Sequence, residues 1–454
     1  MSKFVRDDGR VIYTQTSLTK EQKQAVGLLS IGTFLEYFDL MLYVHMVVFL
    51  NELFFEPTDP HTTSLMTAFA FCSTYVFRPI GALIFGWLGD NIGRKSTVII
   101  TTFMMAASCL VMANLPTYAQ IGGTAAWIVT ICRIVQGMSS MGETVGAELY
   151  LIETINPPAQ YATVALIGAF TSLGGMGALG MATLVTSFGF NWRLAFWLGA
   201  IVALIGSIAR TTLRETPEFA DAKRQLKKVF AKTNTDTSTL ENHPIWIEKV
   251  SKKTFIALLL LQCAAPVCFY FTYMHCGTIL KTNFGYTTVE VIHHNFIICI
   301  IQFLIVLILA YLSYKVYPLL ILRIIFIICS IFILFCPYLL NNLHSPFELF
   351  LIQIVIVLFW QGDAPAVPIF YKNFPVFKRF TCVSITFAMS RALMYVITAF
   401  GFNYLIEYFG NWGLLIIMIP INIGFAFGLL HFEKLEKKRE NYFQPKIDSA
   451  TKVG

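Results

Sequence analysis

Eight ionisable residues stand in stretches of sequence that are otherwise apolar: Glu36, Asp39, Arg78, Arg133, Glu143, Glu148, Asp363 and Arg391. The chemistry open to such groups is proton exchange and recognition of charged or dipolar solutes. Glu36 and Asp39 are three residues apart, so a helix presents both on one face. Arg133, Gln136, Ser140 and Glu143 fall within about an 80° arc at 100° per residue. A carboxylate screened from water beside a guanidinium feels two opposed influences on its proton affinity, desolvation and the neighbouring positive charge. A conformational change that alters both lets it take up a proton on one side and release it on the other. Glu36, Asp39, Arg133 and Glu143 are therefore the expected proton-coupling group. Two plainer readings stay open, a set of structural ion pairs and a polar seam that only joins helices.

The elements that position these groups follow from composition. Of 454 residues, 56% are apolar and only 13% charged, against roughly 25% charged in a soluble domain. Mean hydropathy is +0.66, and Phe alone contributes 41 residues. In lipid the backbone must satisfy its own hydrogen bonds, which leaves helices or a closed barrel. The apolar runs span about 20 to 27 residues, the length of a membrane-crossing helix rather than of a barrel strand. They fall near 25–50, 63–88, 96–115, 124–150, 161–187, 192–213, 254–280, 287–314, 317–339, 346–371, 380–406 and 412–432. Each mid-membrane Asp, Lys or Arg costs about 2.5–3.5 kcal/mol to insert, so the eight charges must face partners or a hydrated cavity.

The expected fold is all-α, twelve transmembrane helices in two six-helix bundles, 25–213 and 254–432. An N-tail (1–24), a linker (214–253) and a C-tail (433–454) complete the domains. The linker reads as solvated, charged from Arg214 to Lys232 and then rich in Thr, Ser and Asn. Of the 33 Lys and Arg, 27 lie in the tails and in loops on one side, against Arg193 and Lys281 on the other. The excess of basic residues predicts cytoplasmic N- and C-termini. The polar start of the chain predicts no cleaved signal peptide. The net charge of +7 sets orientation and is no sign of nucleic-acid binding. The ten cysteines are scattered singly, which predicts buried free thiols rather than a metal or disulfide framework.

Several motifs carry a resemblance. The loop Gly86-Trp87-Leu88-Gly89-Asp90-Asn91-Ile92-Gly93-Arg94-Lys95 is similar to the G-x-L-x-D-[RK]-x-G-R-[RK] signature of the major facilitator superfamily, with Asn91 where a base is usual. Arg133-Ile134-Val135-Gln136-Gly137 resembles the superfamily's helix 4 R-x-x-x-G signature, linked to proton coupling. Gly32 to Tyr43, Phe77 to Gly86, the Trp192-Arg193 pair and Arg214-Glu215-Thr216-Pro217-Glu218-Phe219 resemble the metabolite–proton symporter branch, which includes proline/betaine, α-ketoglutarate, citrate and shikimate carriers. The corresponding loop in the second half, Ala310 to Pro318, has lost the glycines and the acid-to-Arg framework.

The resemblance implies a transporter and no enzyme: a proton-coupled symporter importing a small polar metabolite by alternating access, in a bacterial inner membrane. A proline/betaine-type zwitterion is the first expectation and an organic acid the second. A non-transporting sensor or a passive facilitator is the alternative of another class. Gly86, Asp90, Gly93, Arg94 and Lys95 are the expected conformational latch. Arg78, Gln136, Tyr270, Tyr273, Trp360, Asp363 and Arg391 are the expected substrate-side groups, the aromatic ones weighed against simple packing. In helix 5, Gly168, Ser172, Gly174, Gly175, Gly177 and Gly180 make a small-residue face suited to close helix contact. No cofactor or metal is expected. The partners are the solute, protons and lipid.

Overall fold

A computed structural model describes residues 2–5, 11–55, 74–224 and 249–443. Outside the described residues lie most of the 214–253 linker, the end of the C-tail, the first part of the 63–88 run and Cys72. Beyond a short antiparallel pairing of Ser2–Val5 with Val11–Thr14, the described chain is helical. Helix α1 spans Lys20–Phe54, α2 Arg78–Asn91, α3 Arg94–Asn114, α4 Gly123–Thr154, α5 Ala159–Phe188 and α6 Arg193–Arg210. The second set is α7 over Lys252–Phe284, α8 Thr288–Lys315, α9 Pro318–Asn341, α10 Pro346–Leu358, α11 Val376–Phe409 and α12 Leu414–Phe443.

Helix starts are signalled locally. Thr19 caps α1 and Thr287 caps α8, each in a reciprocal pair with the Gln22 or Glu290 side chain three residues on. Eight described helical runs are long and apolar enough to cross a bilayer, the last of which, Val376–Lys438, takes in α11 and most of α12. The remaining helices fall short for plain reasons. Only 14 residues of α2 and 13 of α10 are helical, and α4 carries Arg133, Glu143, Glu148 and Glu153. Large apolar side chains such as Trp127, Phe188, Tyr408 and Ile423 point outward, as lipid requires of a membrane-spanning bundle. Close packing rests on small residues: α1 lies along α5, where a Cβ on Gly174 would meet the Phe34 carbonyl.

Two helices depart from the expected continuous runs. Helix α7 relaxes into a π-helical turn over Tyr270–His275, a geometry rare in soluble and membrane helices alike and frequent at functional sites. The 346–371 run breaks after Leu358, and helix resumes only over Val367–Tyr371. Gly362, Pro365 and Pro368 explain the break, since each disfavours or forbids the next helical bond. Non-helical backbone at membrane depth is tolerated only where protein buries it or a cavity wets it. The start of the 214–253 interval also departs from a solvated linker. Thr216 and Phe219 are fully buried, and helix continues over 217–224. The nine described cysteines are free, eight of them buried and Cys382 partly so.

Candidate functional site

A cavity of about 240 Å³ lies between the two sets of helices, far above the 10–15 Å³ or so that one water needs. Helices α1, α2, α4 and α5 supply one wall, and α7, α8, the α10 break and α11 supply the other. Arg78, Tyr273, Trp360, Asp363 and Arg391 line it, as expected of substrate-side groups. Tyr270 and Gln136 do not. The Tyr270 ring packs edge-on to Phe402, with centroids 5.8 Å apart. Gln136 instead accepts a bond of 3.1 Å from Arg133 Nη1. Trp360 and Asp363 sit in the non-helical break, where the backbone turns back on itself through an Ala366 amide donating to the Asp363 carbonyl at 2.9 Å.

The expected proton-coupling residues split into two places. Glu36 accepts a hydrogen bond from the Thr144 hydroxyl, and its other oxygen has no partner among the described residues. Asp39, one turn further along α1, lies against Arg133 and the Cys109 thiol. Its Oδ2 is likewise without a partner, as are Arg133 Nε and Nη2. The Arg133 guanidinium rests over the Tyr43 ring at 4.2 Å. All three residues are at most 2% exposed, so a buried acid and base face one another without closing an ion pair. Glu143 belongs elsewhere. Arg210 from the end of α6 forms an ion pair with it, and the Thr102 hydroxyl donates to it at 2.6 Å. Arg210 also donates to the Leu28 and Leu29 carbonyls. Counted by position it belonged to the basic loops, yet it is fully buried.

At the end of the bundle where α2 turns into α3, the two halves are joined by charge. Asp90 accepts from the Phe380 and Thr381 amides of α11 at 3.0 and 2.9 Å. Arg94 donates to Glu153 of α4, to the Gly89 carbonyl and, at 2.7 Å, to the Val376 carbonyl of α11. Arg379 of α11 returns the contact, donating to the same Glu153 at 3.1 Å and to Glu218 at 3.0 Å. Gly93 stands at φ 141°, a conformation side chains rarely adopt, and the Glu215 carboxylate fills the space a Cβ would need. That carboxylate accepts from the Arg94 amide at 3.1 Å, capping α3. Gly86 lets α2 approach the Thr381 backbone. Lys95 stays within its own half, donating to the Thr211 carbonyl at 2.7 Å.

Sequence reasoning gave no site role to several members of these networks, although it had singled out Glu148, Glu215 and Glu218. Glu153, Arg379, Glu215 and Glu218 complete the charged junction, and Arg210 holds Glu143. Glu148, Tyr371, Gln262 and Gln302 join the cavity region. The signals available were the intramembrane charge of Glu148 and the acidic 214–219 stretch, but neither names its partner.

Known proteins place this geometry. The model of the Major Facilitator Superfamily matches residues 29–371. The inner membrane metabolite transport protein YhjE of Escherichia coli is 34% identical over 227 residues, 47% of this chain and 50% of that protein. A Staphylococcus aureus protein provisionally named as a proline/betaine transporter is 32% identical over 208 residues, 44% of this chain and 45% of its own. The chain thus spans about half the length of these curated relatives. Among solved structures, the proton:xylose symporter XylE bound to 6-bromo-6-deoxy-D-glucose superposes with a TM-score of 0.73 at 15% identity, over 92% of this chain and 95% of that one. Helices in two sets about a shared cavity, a charged junction at one end and a family model over most of its length agree: this chain is an integral, multi-pass member of the major facilitator superfamily, whose members are membrane transporters rather than enzymes.

Proposed function

We propose that this protein is a proton-coupled symporter that imports a small polar metabolite, a proline/betaine-type zwitterion, by alternating access. The observation that carries the reading is the shared wall between proton site and cavity. Thr144 lines the cavity and donates to buried Glu36, while Asp39 on the next turn faces Arg133 without an ion pair. A carboxylate held in that state is sensitive to any change in its hydration or in the position of the guanidinium. The names of two partial relatives, a metabolite transporter and a proline/betaine transporter, support the substrate class. One proton moving through 100 mV releases about 2.3 kcal/mol, enough for roughly 50-fold accumulation of a neutral zwitterion.

The junction of Asp90, Arg94 and α11 acts as the latch that holds one access state. Its basic end, with both termini, faces the cytoplasm, and residues 214–253 connect the bundles there. Glu143, tied to Arg210, serves this cycle by fixing α4 against α6. A second reading, an organic-acid symporter, is favoured by the absence of ion pairs at Arg78 and Arg391 among the described residues.

Purified protein in liposomes tests the coupling. With a labelled solute panel and an imposed proton gradient, Asp39→Asn and Glu36→Gln are each expected to lose uphill uptake and to keep counterflow. Full gradient-driven accumulation in both variants would place the proton site elsewhere.

A further inference from the structure

We propose that the cavity orients its solute by charge and requires an ammonium that still carries N–H. The carboxylate end lies at Arg78 and Arg391, and the primary or secondary ammonium end lies at Glu148 and Asp363. This rests on the transporter reading above and narrows it from any zwitterion to an amino acid with a free or singly substituted amine.

The wall carries both signs of charge, with Arg391 near enough to Glu148 to act on it, and neither sign is fully paired among the described residues. Arg78 is 1% exposed, lines the cavity, and has no partner for Nε or Nη2 among the described residues. Arg391, also lining it, donates among the described residues only to its own helix, to the Phe387 carbonyl at 3.4 Å and the Ser390 hydroxyl at 3.1 Å. Neither guanidinium forms an ion pair among the described residues. A buried, unpaired guanidinium is costly, and an arriving carboxylate removes that cost with charge-assisted bonds.

The acids stand together in one network that crosses between the halves. The Tyr371 hydroxyl donates to Glu148 at 3.0 Å. Gln262 Nε2 donates to Asp363 at 3.1 Å and to Tyr371 at 3.4 Å. Glu148 comes from α4 and Asp363 from the α10 break, and both line the cavity. A carboxylate offers about four acceptor sites, so each retains acceptors that one protein donor leaves open. Water fills them in the empty cavity, and an ammonium with two or three N–H groups fills them in the loaded one.

A quaternary ammonium has no N–H to offer and needs free aromatic faces instead. Several of those faces are engaged, although Tyr37 and Trp360 line the cavity with no ring or cation contact among the described residues. Tyr75 carries the Arg78 guanidinium at 4.6 Å and packs on Tyr395 at 4.2 Å. Phe387 carries Arg391 at 3.2 Å, and Phe269 abuts Tyr395 at 5.9 Å. A dicarboxylate would satisfy the arginines and oppose the two acids. An N–H-bearing amino acid satisfies both ends.

The test uses the full chain purified in detergent, with calorimetric titration of L-proline, glycine and a panel of amino acids, each beside its N-permethylated analogue, and of succinate. The expected result is binding of at least one amino acid, with its permethylated partner weaker on the order of tenfold or more, because a site built for N–H leaves acceptors unpaired when N–H is missing. Glu148→Gln and Asp363→Asn should each weaken the amino acid by a similar factor. A permethylated analogue that binds as well as its parent overturns the proposal and leaves the zwitterion symporter standing. Succinate bound in place of every amino acid overturns both. Failure of all amino acids to bind overturns the proposal as well, and the titration of the unaltered protein decides the matter even if a variant fails to fold.

Discussion

The loops joining α2 to α3 and α8 to α9 hold corresponding places in the two halves, and they are built on different physics. In the first, Asp90 and Arg94 are 3% and 0% exposed and reach across to α11. In the second, Tyr311 and Tyr317 are 61% and 43% exposed. Lys315 there stacks on Tyr311 at 4.8 Å. Its bond toward the other half runs from the exposed Tyr314 hydroxyl to the Thr16 carbonyl at 3.2 Å. The buried corner gains strength from low dielectric but is bound to complete pairing, because any group left alone there is costly. The exposed corner exchanges each bond with water and so tolerates change. Under the proposed latch, one such corner is enough to define a closed end, and a second signature is dispensable.

Breaking this contrast starts with Glu153, which serves Arg94 and Arg379 at once. Glu153→Gln keeps the shape and removes the shared anion. A loss of about 3–5 kcal/mol is expected for stranding buried charge, read as reduced folded yield in membranes and a lowered Tm. An unchanged Tm would mean that the junction is already hydrated. Asp90→Asn comes next. It retains one acceptor for the Phe380 and Thr381 amides and loses the charge, for about 1.5–3 kcal/mol. Amide exchange across 376–384 should speed up by roughly ten- to a hundredfold, and transport should slow with insertion intact. Protection equal to the parent would remove Asp90 from the latch.

Glu215→Gln should have a smaller effect, about 0.5–1 kcal/mol, as the loss of a charged cap on α3. Thermal unfolding in detergent is sensitive enough to read it. At the bottom of the scale stand Tyr314→Phe and Tyr317→Phe. The latter removes a 3.1 Å bond from the Tyr317 hydroxyl, on a residue 43% exposed, to Glu436. Neither should change Tm or uptake measurably. A large loss from either would show that the second corner bears as much of the closed state as the first.

Legibility in the sequence followed the range of the interaction. Membrane class and most helix positions depend on local hydropathy and were readable, while Asp90 and Arg94 came from the resemblance of one loop to a family signature. Arg379 and Glu153 are 226 residues apart in the chain, and no local pattern links them. Arg210 shows how a positional rule fails. It ends an apolar run beside a basic interval, so it looks like a loop charge, yet its head group is drawn inward by Glu143 and the α1 carbonyls. For the same reason Glu143 was grouped with Arg133 by helical arc, when its partner comes from α6. The α10 break had a visible cause in Gly362, Pro365 and Pro368, but prolines are also tolerated inside membrane helices, as Pro337 is in α9 and Pro420 in α12. What decides between kink and break is the cavity, which only the fold supplies.

The π-helical turn of α7 has a consequence for how this chain can change in length. Such a turn holds one residue more than the α-helical path it replaces. Deleting a single residue from Tyr270–His275 therefore need not unravel α7. The turn would tighten to an α-helix and the helix would stay whole. The segments before and after it would keep their facing, because only the residue in excess is removed. Tyr273, inside the turn, would be re-aimed while Lys252–Gln262 and Cys276–Phe284 kept their neighbours. Elsewhere in a packed membrane helix a one-residue deletion throws a whole lipid-facing surface inward, so length variation among descendants of this chain should concentrate at this turn.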